Sequence, residues 1–194
     1  MMKRRAVLSA LLMGPFLGLC VEGARAASDD VVGSAAPDWN GLRWLGPPQN
    51  TALRKNVVLV RFWSDECPLC RSTLPGLGKL YDAHRRDGLL VVGVYHPKPQ
   101  PRAVADVKVK QYAETLGVHF PVAIDENWTV LRRYWLDGRP RSFTSVSFLI
   151  DRQGRIRWMH RGGEFHESAD PEHKDCDTAW QELNRVLKTV LAEH

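Results

Sequence analysis

Hydrophobic positions along this chain come in two alternating rhythms. Val57-Val58-Leu59-Val60, with Phe62 and Trp63 beyond Arg61, form an apolar run of strand length over 57–63. After a short polar turn, Leu69, Leu74, Leu77 and Leu80 recur at helical spacing. They predict a helix from about Pro68 to Arg86 with these leucines against a sheet. Pro75 is expected to interrupt and kink that helix, and Gly88 to close it. Leu89 to Tyr95 then reads LLVVGVY, a continuous apolar strand of the kind that parallel sheets bury on both faces.

The second half repeats the alternation. Pro97-Lys98-Pro99-Gln100-Pro101 is a stiff loop feeding a helix from about Arg102 to Leu116, stopped by Gly117. Val118 to Ile124 reads as a strand broken locally by Pro121, and Asn127 to Trp135 as a short helix. Phe143–Asp151 and Arg155–His160, joined by Arg152-Gln153-Gly154, read as an antiparallel hairpin. A polar loop over 161–178 leads to a final amphipathic helix at 179–192. Before the first strand, 27–38 reads as an extended, poorly ordered lead-in. Trp39–Leu45 reads as short edge structure ending in the Pro47-Pro48 turn. Strand–helix alternation followed by a hairpin and a helix predicts a three-layer α/β/α sandwich with a mixed central sheet.

The first 26 residues stand outside this pattern. Lys3, Arg4 and Arg5 precede an apolar stretch, Ala6 to Leu19, too short for a comfortable membrane span, and Ala24-Arg25-Ala26 supplies an A-x-A cleavage site. The expectation is a signal peptide at 1–26, export to the periplasm, and one domain at 27–194. Cys20 follows Leu19 rather than a small residue, which argues against lipidation. Lys3, Arg4, Arg5 and Arg25 against Glu22 place +3 of the chain's +5 in the leader, leaving +2 for the domain. Bulk charge therefore gives no support to nucleic acid as a partner.

Three cysteines remain beyond the leader: Cys67, Cys70 and Cys176. Cys67 falls where strand gives way to helix, with Pro68 at the first helical position, where a missing N–H costs nothing. Free backbone N–H groups and the helix dipole there favour an anion, here a thiolate. Cys70 lies one turn later. The same C-x-x-C spacing also serves in zinc sites, but a second close ligand pair would be needed. His166, His173 and Cys176 follow one another at gaps of seven and three. The strand–CxxC–helix context favours dithiol chemistry.

The strings VVLVRFW, CPLCRSTLP, DGLLVVGVYHP, FPVAID and SFLIDRQGRIRW, in this order, resemble the exported thioredoxin-like proteins of the TlpA/ResA group and the periplasmic thioredoxin-like domain of DipZ. The resemblance implies a thioredoxin-like fold and a thiol–disulfide oxidoreductase with no cofactor. Its substrates would be disulfide-bonded exported proteins, apocytochrome c among them, and its electrons would come from a membrane thiol reductase. It makes Cys67 the attacking cysteine and Cys70 the resolving one. The Pro68-Leu69 dipeptide lacks the histidine that helps a strongly oxidising pair, which favours a reductant.

The chain departs from that family at several positions. Glu66, with Asp65 beside it, stands where Trp usually precedes the first cysteine; two carboxylates there oppose thiolate formation. Arg61 occupies the strand position of a buried acid, where it could offset that effect in a tuning role, pair with Asp65 or Glu66, or form an ordinary surface ion pair. Ser145, between Thr144 and Val146, stands where the family places a cis-proline against the dithiol. Pro140 lies five residues earlier. A cis bond without proline costs about 3 kcal/mol, so a trans peptide is expected. Trp63, four residues before Cys67, is placed as a wall beside the pair.

His160, His166, His173 and Cys176 share an acidic loop. Without tight helical or knuckle spacing it reads as solvated and polar, and no metal ligand is assigned. Cys176, between Asp175 and Asp177, reads as a buried or incidental thiol, and His96 as loop polarity. Two rival functions follow from the same residues. One is a copper or zinc metallochaperone using the CxxC with a histidine. The other is a peroxiredoxin-like thiol peroxidase drawing on Ser64, Arg61 and Arg141, with Ser64 in place of the usual Thr of Thr-x-x-Cys.

Overall fold

The computed structural model describes residues 31–47, 52–138, 141 and 143–193. The leader expected at 1–26, Pro48 and Pro140 lie outside the described residues. Strand β2 (Val57–Trp63) is buried along its whole length, and its alternation divides the interior in two. Val57, Leu59 and Trp63 enter one core; Val58, Val60 and Phe62 enter the other. Strand β3 (Leu89–Tyr95) pairs parallel to β2 from Val57–Leu89 to Trp63–Tyr95. The remaining strands are β1 (Arg43–Trp44), β4 (Val122–Ile124), β5 (Ser147–Ile150) and β6 (Ile156–His160), and the sheet runs β1-β4-β3-β2-β5-β6. β4 is parallel to β3, while β1, β5 and β6 run antiparallel to their neighbours, so the sheet is mixed.

Three helices share the first core: α1 (Pro68–His84), α2 (Asp106–Thr115) and α4 (Lys174–Ala192). Leu74 and Leu77 of α1, and Leu183 and Leu187 of α4, are fully buried there. Each contributes about 1.5–3 kcal/mol. The opposite face carries a thinner layer: α3 (Thr129–Leu131), the π-helical turn Arg132–Leu136 that continues it, and the lead-in residues Val31, Ala36, Trp39 and Leu42. This is the expected three-layer, thioredoxin-like sandwich.

Several local expectations are corrected. From Val31 onward the lead-in is held to the hairpin: Gly33 N–H donates to Ile156 O at 2.7 Å, Ile156 N–H donates to Ser34 O at 2.9 Å, and Ala35 bridges Arg155. Leu69 is 38 % exposed rather than facing the sheet, because it falls on the side of α1 away from Leu74 and Leu77. α1 continues through Pro75, whose ring is exposed and leaves the missing hydrogen bond on the solvent side. α2 begins at Asp106, not Arg102, and β4 at Val122, beyond Pro121. β5 spans Ser147–Ile150, shorter than 143–151, and the last helix starts at Lys174, inside the expected loop. Asp151 closes the hairpin: its Oδ1 accepts from the N–H groups of Gln153 and Arg155, and Gly154 takes φ +75°.

Candidate active site

Cys67 caps the N-terminus of α1, in extended backbone (φ −101°, ψ 97°), with Pro68 next. Its position follows from the end of β2: the chain turns through Ser64, and Cys67 N–H donates to Ser64 O at 3.3 Å. Cys67 and Cys70 are joined as a disulfide with Cα atoms 5.4 Å apart. Cys67 is 7 % exposed and Cys70 fully buried, so any access to the pair from outside is through Cys67. Pro68 is exposed, and so is Glu66.

Arg61 is the main surprise. It shares β2's helix-facing side with Leu59 and Trp63 and is completely buried. One Nη2 donates to Gly163 O at 2.8 Å and lies 3.7 Å from Cys70 Sγ; Nη1 donates to Ser147 Oγ at 3.3 Å. The guanidinium also sits 5.6 Å from the centre of the Phe165 ring. Among the described residues no carboxylate pairs with it. Burial pulls its pKa down to about 9, so it stays cationic at neutral pH. Two of the three sequence expectations for Arg61 fail: it pairs with neither Asp65 nor Glu66, and it is no surface residue. Asp65 is engaged elsewhere, accepting from the Tyr95 hydroxyl at 2.8 Å.

Ser145 lies against the dithiol, at the position where the family it resembles has a cis-proline. Its Oγ is 3.1 Å from Cys67 Sγ and 3.7 Å from Cys70 Sγ. Among the described residues the single cis peptide is Lys98–Pro99, so the Thr144–Ser145 peptide is trans. Thr144 faces the other way and its Oγ1 meets His96 Nε2 at 2.9 Å. His96 is therefore no polar loop residue: it is fully buried, edge-on to Trp128 at 5.5 Å, and burial pushes its pKa down to about 3. Trp63 joins the same buried cluster as the two cysteines and packs edge-on against Tyr95 at 5.2 Å.

The fold thus gathers Cys67, Cys70, Arg61, Ser145, Thr144 and Trp63 at one end of the sheet and leaves Glu66 at the surface. Sequence reasoning missed Gly163, Phe165 and Ser147, which hold Arg61. They come from the distant hairpin and the loop after it, and carried no spacing signal. Ser64, central to the peroxidase reading, is buried and its hydroxyl has no partner among the described residues, while the cation contacts Cys70.

Residues 32–159 match the AhpC/TSA family. The chain is 34 % identical over 156 residues to the protein DipZ of Mycobacterium tuberculosis (strain CDC 1551 / Oshkosh), covering 75 % of this chain and 21 % of that protein. It is 29 % identical over 132 residues to the thiol-disulfide oxidoreductase ResA of Geobacillus thermodenitrificans, covering 68 % and 70 %. Its fold is similar to a thiol-disulfide isomerase from Corynebacterium glutamicum, with a TM-score of 0.62 at 22 % identity, covering 82 % and 98 %. The chain spans about a fifth of DipZ, and these are the proteins that the order of its motifs resembles. Because the family match runs from the lead-in to the last strand and contains Arg61, both cysteines and Ser145, the chain belongs to the AhpC/TSA family.

Proposed function

We propose that this protein is a thiol–disulfide oxidoreductase that reduces disulfides in exported proteins through Cys67 and Cys70. One observation carries the reading: Cys67, at the N-cap position of α1 and the more exposed of the two, is bonded to a fully buried Cys70 that has a cation beside it. In the reduced protein, Cys67 thiolate attacks one sulfur of a substrate disulfide. The other substrate sulfur leaves as a thiolate and takes a proton from solvent. Cys70 then attacks Cys67 Sγ in the mixed disulfide, the second substrate thiol departs, and the Cys67–Cys70 bond re-forms.

The surroundings suit each step. The N-terminus of α1 and the Ser145 hydroxyl stabilise negative charge on Cys67. Arg61 stabilises it on Cys70, which needs a thiolate to resolve the intermediate. Return to the dithiol requires two electrons, for which a membrane thiol reductase is the donor we propose. Export rests on the leader residues Lys3 to Ala26. We assign Ser145 to the substrate-facing side of the pair, Trp63 to the buried wall beside it, Thr144 to holding His96, and Arg61 to tuning.

The test is the equilibrium between the Cys67–Cys70 pair and glutathione, read by alkylation mass shift, together with insulin-disulfide reduction by the pre-reduced protein. A potential below the glutathione couple with stoichiometric reduction of insulin is expected. A potential well above it would make the protein an oxidant. Consumption of peroxide with a thiol donor, without insulin reduction, would replace the reading with a peroxidase.

A further inference from the structure

Away from the dithiol, the fold gathers four donors that the sequence leaves scattered. Glu164, His166, His173 and Cys176 each offer one ligand atom, and these atoms all lie within 4.8 Å of one another. His173 Nδ1 is 3.7 Å from one Glu164 carboxylate oxygen and His166 Nε2 is 3.9 Å from the other. The two imidazole centres are 5.1 Å apart. All four side chains are half-buried, accessible to an ion yet partly screened from water. From these observations we infer that Glu164, His166, His173 and Cys176 form a zinc site, a feature to which the sequence analysis assigned no ligand.

The donor chemistry fits a four-coordinate borderline ion. One thiolate and two neutral imidazoles select zinc or copper over calcium and magnesium, which take oxygen. Glutamate and thiolate together carry two negative charges, which Zn²⁺ cancels. As the Zn–S bond forms, Cys176 gives up its thiol proton to solvent; no electron moves. Tetrahedral zinc with bonds of 2.0–2.3 Å has donor–donor edges of about 3.3–3.7 Å, so closure needs side-chain shifts of about an ångström. Four protein ligands leave no open position, which makes this a structural site.

The backbone around the donors is already pinned. Phe165, between Glu164 and His166, is fully buried, and its N–H donates to Thr73 Oγ1 at 3.2 Å. Gly163, just before Glu164, holds Arg61. On the other side, Asp177 accepts from Ser168 N–H at 3.1 Å, and His173 N–H donates to Asp170 O at 3.0 Å. His173 and Cys176 sit one turn apart at the start of α4. His166 Nδ1 lies 3.0 Å from Glu167 O, a carbonyl that can only accept. The ring proton is therefore on Nδ1, and the Nε2 lone pair faces the cluster, the outer-shell arrangement typical of metal-bound histidine. His160, the third histidine of the segment's sequence pattern, is not among the donors; it packs on Phe165 at 4.7 Å.

The experiment uses the full-length protein with the Cys67–Cys70 disulfide intact, so that the active-site sulfurs cannot ligate. Zn²⁺ is titrated by calorimetry, and Co²⁺ is titrated in parallel for its thiolate charge-transfer and tetrahedral visible bands. One ion per chain is expected. Cys176→Ser should abolish the thiolate band, and His173→Ala should weaken binding by at least the roughly 10–100-fold that loss of even an outer-shell partner costs. Cys67→Ser/Cys70→Ser should leave both readouts intact, with circular dichroism confirming the fold of each variant. Failure of the folded oxidised protein to bind one equivalent would overturn the site. So would binding insensitive to Cys176→Ser and His173→Ala, or binding lost only with the active-site pair. None of these readouts depends on redox activity, so the fate of the oxidoreductase reading is separate.

Discussion

Arg61 reaches Cys70 through the interior: its Nη2 stands 3.7 Å from Sγ, and both residues are fully buried. The guanidinium has hydrogen-bond acceptors in Gly163 and Ser147, but among the described residues no carboxylate to neutralise it. In the reduced protein the natural counter-charge is therefore a Cys70 thiolate.

Arg61→Met is accordingly expected to raise the Cys70 pKa by about 1–3 units, the usual effect of losing an opposite charge within 4–6 Å. The measurement is thiolate ultraviolet absorbance against pH in reduced Cys67→Ser/Cys176→Ser protein, with and without the further change at Arg61. An unchanged titration would show that the cation is present only for packing.

Ser145→Ala removes a hydroxyl 3.1 Å from Cys67 Sγ. A hydrogen bond to a charged group is worth about 1.5–3 kcal/mol, so the Cys67 thiolate should lose about one pKa unit of stabilisation or more. The rate of Cys67 alkylation by iodoacetamide, followed against pH, should shift its midpoint upward by that amount. A midpoint left in place would remove Ser145 from the chemistry.

The two cysteines should fail differently. Cys70→Ser leaves the more exposed sulfur and is expected to accumulate a mixed disulfide with a substrate protein, visible on non-reducing gels. Of the pair, Cys67→Ser leaves only a sulfur with no exposure, and with Cys176→Ser added to both variants it should trap nothing. Trapping by both variants alike would mean that the roles are not divided as proposed.

Acid should destabilise the protein through its buried histidines. His96 is depressed to about 3 and His160 to about 4, in each case chiefly by burial. Folded pKa values below the unfolded one near 6.5 mean that the unfolded chain binds more protons, so the stabilisation is complete above about pH 6.5 and drains away towards pH 3–4. Each histidine adds a slope of about 1.4 kcal/mol per pH unit inside that window. Urea unfolding of His96→Asn at pH 7, 6, 5 and 4 should show a shallower decline than the parent, and parallel declines would refute the assignment.

Gly93→Ala should be costly. A Cβ there would stand 2.9 Å from Trp63 Nε1 and 3.2 Å from Phe120 Cε2, both in packed interior. Overpacking of this kind costs about 1–3 kcal/mol, to be read from the urea midpoint. Gly78→Ala is the control: its Cβ would meet the half-exposed His119 ring, which can move aside.

Much of this protein was legible before any fold was built. The runs 57–63 and 89–95 are apolar at every position but two, Arg61 and Gly93, so burial on both faces and parallel pairing follow from the residues alone. Cys67 and Cys70 are three positions apart, and Pro68 marks the helix start between them, so their encounter is a local matter. Tertiary structure decided whatever depends on residues distant in sequence. Arg61 stood between a surface ion pair and a tuning role because its partners, at Ser147 and Gly163, are more than eighty positions away. His96 looked like loop polarity because its burial comes from Thr144 and Trp128. Glu164, His166, His173 and Cys176 showed no ligand spacing, since a buried Phe165 and an early start to α4 bring them together. Local pattern specifies which segments are apolar and how they repeat; which polar group ends beside which sulfur or imidazole is set by the packing of whole elements.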